Sequence, residues 1–118
     1  MVKRPRQGDI LLLNAAPRAG HEQTGKRPYI VLSNDVIANN SNVVIVAPIR
    51  TTNRNYPLYI KINEANNMKT KGKVMLDQLT TIDYEARNCQ FLEAADELLL
   101  DELLLKVKAV FQKNIKNR

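Results

Sequence analysis

With 118 residues, the chain has the length of one domain and can bury a core without metal or disulfide support. Its single cysteine, Cys89, excludes an intramolecular disulfide, and no Cys/His spacing suggests zinc. A net charge of +6 favours a polyanionic partner such as RNA or DNA, although a plain solubility charge would look the same.

The basic start, MVKRPRQGD, is not followed by an apolar run of signal-peptide or membrane-spanning length. A cytoplasmic protein is therefore expected. Gly8-Asp9 marks a turn, and residues 10–13 read as a first strand. Residues 15–26 read as a long polar loop punctuated by Pro17, Gly20 and Gly25. It carries His21, the only histidine, and Glu22. Pro28 can open a strand but not sit inside one, so residues 29–32 form the second strand. Ser33-Asn34-Asp35 is a turn or helix-cap signal, and the β-branched run 43–46 is a third, buried strand closed by Pro48.

A second polar loop follows at 49–55, with Arg50, Thr51, Thr52 and Arg54. Residues 58–62 alternate as a half-buried strand, and 73–79 form another that contains Asp77. Thr80-Thr81 reads as the cap of a short helical turn through Asp83 and Tyr84. A last short strand is expected at 90–92, and residues 96–116 read as one long helix with acids early and lysines late. Its leucine triplets form a wide apolar face, suited to the sheet and to a partner subunit. The fold class is mainly β: a small barrel of five to seven antiparallel strands with one long C-terminal helix, in a single domain over 1–118.

Each candidate functional residue also has an ordinary reading. His21 suits proton transfer, yet a lone loop histidine can simply be solvated. Arg27 can stabilise charge developing on a phosphate, or pair with Glu22. Asp77 must be paired if it faces the core, and is available to a site if it faces solvent. Arg50, Thr51 and Thr52 offer a cation and hydroxyls, or an ordinary solvated loop. Cys89 reads as a passive, half-buried thiol. Sparse aromatics, with two phenylalanines, four tyrosines and no tryptophan, speak against a base-stacking sheet of the RNA-recognition-motif type. No phosphate-binding glycine loop, dinucleotide fingerprint or acid cluster for a magnesium nuclease is present.

Taken in order, Gly8-Asp9-Ile10, Gly20-His21-Glu22-Gln23, Gly25-x-Arg27-Pro28 and Val31-Leu32-Ser33-Asn34 resemble the opening of the MazF/PemK toxins. Pro48, Tyr56-Pro57, Asp77-Gln78, Thr81-Ile82-Asp83 and Arg87 extend the likeness, which spans residues 8–87. The resemblance implies an SH3-like barrel that forms a homodimer. It implies a sequence-specific endoribonuclease, an mRNA interferase of a type II toxin–antitoxin system, held in check by a cognate antitoxin with an acidic, partly disordered segment. It further implies cleavage of single-stranded RNA without a metal or other cofactor, the 2′-hydroxyl attacking the adjacent phosphate.

Carried onto this chain, the resemblance makes Arg27 the main catalytic candidate, with His21 and Asp77 at positions used by the PemK-like branch. Glu22, Gln23, Arg50, Thr51, Thr52 and Lys73 are the expected RNA-binding residues. Two positions depart from the pattern. Arg50 stands where the family usually has Thr or Ser, and Met75 stands where the PemK-like branch has an arginine. Arg50 would then restore the cation missing at Met75. A rival reading is a non-enzymatic toxin of the same fold acting on DNA gyrase, and another is a homologue that binds antitoxin but no longer cuts.

Overall fold

The computed structural model describes residues 4–14 and 25–116. Its elements are β1 (Asp9–Asn14), β2 (Lys26–Val31), α1 (Asp35–Asn39), β3 (Val43–Arg50), β4 (Tyr59–Ile62), β5 (Gly72–Met75), β6 (Thr80–Asp83), β7 (Gln90–Ala94) and α2 (Glu97–Val110). The 7-stranded sheet runs β4-β5-β3-β2-β1-β7, with β6 also paired to β3. All the pairings are antiparallel. The mainly β reading with one long C-terminal helix therefore holds.

The longest strand, β3, organises the sheet. One edge pairs with β2 through Val46, Ala47 and Pro48. The other edge pairs first with β6, over Val43 to Val46, and then with β5 at Ile49 and Arg50. Pro48 lies inside β3 and does not close it, contrary to the sequence reading. It falls where the second edge changes partner, so its missing N–H costs no ladder bond there. Pro28 likewise sits inside β2, opposite Leu12. The pairing of β2 with β3 begins only at Tyr29, which leaves one edge of Pro28 unpaired.

Strand alternation sorts the apolar side chains into two cores. Leu11, Leu13, Tyr29, Val31, Val44, Val46 and Ile82 share one. Ile10, Ile30, Ala47, Ile49, Ile60, Ile62 and Val74 share the other with Leu99 and Leu103 of α2. Residues of β4 and β1, far apart in strand order, meet in that second core. The sheet therefore curls around it, and α2 closes it. Leu99 and Leu103 are almost fully buried, and each contributes about 1.5–3 kcal/mol.

Asp96 caps α2, its carboxylate accepting from the Leu99 amide and from the Asn66 side chain. The helix ends at Val110 and does not reach residue 116. Residues 111–116 are all exposed, so no tertiary burial supports further turns. The expected helical turn at Thr80-Thr81 is strand β6 instead. Ile82 is buried opposite Val44, and the β-branched threonines suit that ladder. The turn begins at Asp83, whose carboxylate accepts from the amides of Glu85 and Ala86. Cys89 is fully buried rather than half-buried, and burial pushes its thiol up, consistent with a passive role.

One latch ties the loop before β5 to β7. The Glu93 carboxylate accepts from the amides of Lys69 at 3.1 Å and Thr70 at 2.7 Å, and from the Thr70 hydroxyl. Partial desolvation works to raise its pKa, but these hydrogen bonds outweigh it and hold the carboxyl below its ordinary range. The stabilisation is therefore present above the unfolded pKa, roughly 4.3, and is lost as pH falls through the lower folded value. Glu93→Gln is expected to lose about 1 kcal/mol at pH 7. Denaturant titrations should show that deficit shrinking as the pH is lowered below about 4.

Candidate nucleic-acid interface

The sheet face that carries Tyr29 becomes cationic towards β4. Lys73 of β5 is the register partner of Arg50 in β3 and of Lys61 in β4. The β2–β3 register pairs Tyr29 with Pro48; Arg27, two residues before Tyr29 on β2, lies on the same face of the sheet, beyond the end of that pairing. Arg50, Lys73 and Lys61 thus form a row across adjacent strands. Their intervening neighbours Ile49, Val74 and Ile60 point the other way into the core. Like charges side by side on neighbouring strands weaken a sheet. Such a row is better explained by an anion that bridges it than by stability.

Local contacts hold Arg50 and Lys73 in place. The Arg50 guanidinium stands 5.3 Å from the centre of the Tyr29 ring and donates to its hydroxyl at 3.3 Å. Tyr29 itself is buried, so Arg50 rests on a fixed platform. Arg27 is exposed near the start of β2, opposite Leu13. The Lys73 ammonium donates to the Arg54 carbonyl at 2.8 Å, tying loop 51–56 to β5. Within that loop, the Thr52 hydroxyl accepts from the Arg54 amide at 3.1 Å. Thr51, Thr52, Asn53, Lys61, Lys71 and Lys73 border an open groove of about 910 Å³.

Asp77 is not within a strand. The chain leaves β5 at Met75, and Leu76–Gln78 form a 3-10 turn. Leu76 is buried and Asp77 exposed. The turn satisfies both demands: the leucine fills the core while the carboxylate keeps its water. Asp77 thus lies beyond Met75–Tyr59, the end pair of the β4–β5 ladder. The structure brings together Arg50, Thr51, Thr52 and Lys73, leaves Arg27 on the same sheet face beyond the β2–β3 pairing, and sets Asp77 beyond the end of the β4–β5 ladder, along the strand from Lys73. His21, Glu22 and Gln23 lie outside the described residues. Met75 is buried on β5, two residues along the strand from Lys73 and so on the same face of the sheet.

The sequence reading named Arg54 among the loop cations and Tyr56 in the family likeness, but missed Tyr59 and the grouping of the three. The Tyr59 amide donates to the Tyr56 carbonyl at 2.8 Å, closing a four-residue turn with Pro57 at its second position. The two rings meet edge-to-face with centroids 5.0 Å apart. The Arg54 guanidinium lies 4.9 Å from one ring centre and 5.6 Å from the other. The Tyr-Pro-x-Tyr spacing was the available signal, because a proline turn brings its first and last side chains together.

A curled antiparallel sheet closed by a C-terminal helix, with a cationic row and a polar groove on one face, defines the class: a small, mainly β domain with a basic surface. The profile of the PemK-like, MazF-like toxins of type II toxin–antitoxin systems matches residues 6–111. Endoribonuclease toxin ChpB of Escherichia coli (strain K12) is 32% identical, the match covering 95% of this chain and 100% of that protein. Endoribonuclease PemK of Escherichia coli is 29% identical over 88% of this chain and 80% of its own length. A MazE-MazF crystal structure from Deinococcus radiodurans superposes with a TM-score of 0.80 at 27% identity, covering 92% of this chain and 96% of the other. The chain belongs to the PemK/MazF family of toxins, as its motifs suggested.

Proposed function

We propose that the chain is the toxin of a type II toxin–antitoxin pair and cleaves single-stranded mRNA at specific sequences without a metal ion. The cross-strand cation row carries this reading. It supplies positive charge at the spacing of neighbouring strands, about 4.8 Å, along which a phosphodiester backbone can lie. The naming of ChpB and PemK as endoribonucleases supports the enzymatic reading over a gyrase-directed one. Arg27 faces the phosphate and stabilises the charge that accumulates on its oxygens in the transition state. His21 and Asp77 share the proton transfers. One accepts the 2′-hydroxyl proton as that oxygen attacks phosphorus, and the other protonates the departing 5′-oxygen. The products are a 2′,3′-cyclic phosphate and a 5′-hydroxyl. Glu22, Gln23, Thr51, Thr52 and Lys73 hold the flanking nucleotides, and Arg50 serves as the phosphate cation in place of the arginine lost at Met75.

Single-stranded RNA incubated with the purified chain in excess chelator is the test. Cleavage is expected, and intact RNA would overturn the proposal. Arg50→Ala should cut roughly ten- to a hundredfold more slowly, the effect of losing one charge-assisted hydrogen bond. Cleavage at the wild-type rate would remove Arg50 from the site.

The proposed partners are a second copy of the chain and a cognate antitoxin whose acidic, partly disordered segment covers the cation row in competition with RNA. The solved Deinococcus neighbour is itself a MazE-MazF structure. Exposed apolar side chains at Phe91, Leu98, Leu105 and Phe111 provide surface for protein contacts. Among the described residues, no helix is long and apolar enough to cross a membrane; the cytoplasmic location proposed for the chain follows from mRNA as its substrate.

A further inference from the structure

Beside the cation row lies a second, smaller cavity of about 470 Å³, bordered by Asn55, Tyr56, Pro57, Tyr59, Lys61 and Lys73. We infer that it is a nucleobase subsite, in which one base of the RNA stacks on the Tyr56–Tyr59 pair while Lys61 and Lys73 hold its phosphate. The inference rests on the ribonuclease reading and adds a position at which sequence is read.

The geometry supports a planar, uncharged guest with an anionic tail. The cavity falls in the size range of small-molecule sites, about 300–1,000 Å³. Its aromatic walls are half-buried, with ring surface available to a guest and limited freedom to collapse over it. Both lysines belong to the row that meets the RNA backbone, so a nucleotide whose phosphate rests on that row can turn its base into the cavity. The Asn55 amide, at the rim, presents donors and an acceptor suited to a base edge.

Arg54 does not border the cavity. Its guanidinium packs on both tyrosine rings and its carbonyl is held by Lys73. It therefore braces the ring pair without filling the space, which makes it a positioning residue. A single platform of this kind is compatible with the scarcity of aromatics: one turn concentrates two of the four tyrosines at one place.

The test is binding of 2′-O-methyl single-stranded RNA, which cannot be cleaved by 2′-oxygen attack, followed by fluorescence anisotropy. Tyr56→Leu and Tyr59→Leu should each weaken binding about ten- to a hundredfold, the usual range for one stacked base. Tyr56→Phe and Tyr59→Phe should stay within about twofold, since stacking needs the ring and not the hydroxyl. Arg54→Ala should weaken binding and Arg54→Lys, which retains a cation over the rings, should restore most of it. Because Tyr59 is also a ladder residue, the wild-type protein is tested against oligonucleotides lacking one base at a time. One abasic position should reproduce the loss, and Tyr59→Leu should add nothing to it. Leucine variants that bind like wild type, or an abasic scan with no single sensitive position, would overturn the subsite. Cleavage of unmodified RNA in a parallel assay reports separately on the ribonuclease reading.

Discussion

Arg27→Ala is expected to slow RNA cleavage by about 10²–10³-fold, the cost of removing one donor to a transition-state oxyanion. Arg27 is exposed near the end of the β1–β2 ladder, so its truncation should change stability by no more than about 0.5 kcal/mol. The rate and the thermal unfolding midpoint should therefore separate: a large kinetic loss with an almost unchanged midpoint. Arg27→Lys should recover only part of the rate, because an ammonium cannot make the bidentate contact of a guanidinium with a phosphate. Equal losses in rate and stability would assign Arg27 to the scaffold.

Gly72→Ala should be the most damaging small substitution in the barrel. Gly72 has φ +123°, a conformation that side chains rarely adopt, and an added Cβ would stand 2.8 Å from the Arg50 carbonyl oxygen. The obstacle is backbone, which cannot rotate away as a side chain could. Strain and overlap together are worth about 3 kcal/mol, a fall in melting temperature of roughly 10 °C for a domain of this size. Relief requires β5 to move away from the end of β3. That separates Arg50 from Lys73, so cleavage should fall even at temperatures where the variant remains folded. A variant with unchanged melting and activity would contradict the close approach of β3 to β5 at the site.

The elements with strong local signals were legible in the sequence. Apolar runs at β1, β2 and β3 and the alternation in β4 gave strands within a few residues, and the leucine-rich segment gave α2. The errors arose where tertiary context overrides local chemistry. Pro48 looks like a strand terminator, but the exchange of partners along β3 removes the need for its N–H. Thr80-Thr81 looks like a cap, but Ile82 belongs in a core that only the fold assembles. Asp77 reads as a strand residue until the buried Leu76 forces a turn beside it. At the site, Arg27 and Arg50 were recognisable as cations, whereas the alignment of Arg50 with Lys73 and Lys61 depends on register across strands distant in sequence. Arg54, Tyr56 and Tyr59 are individually unremarkable residue types. Their meaning comes from the proline turn that brings them together.

Cleavage at the cationic row is expected to proceed through the RNA's own 2′-hydroxyl. It is tested most directly by digesting single-stranded RNA in excess chelator, identifying a cut site, and repeating the digestion with a 2′-deoxynucleotide immediately before the cut. Expected are 5′-hydroxyl ends on the downstream fragment and no cutting of the substituted RNA. Ends bearing a 5′-phosphate, or undiminished cutting of the 2′-deoxy substrate, would contradict it.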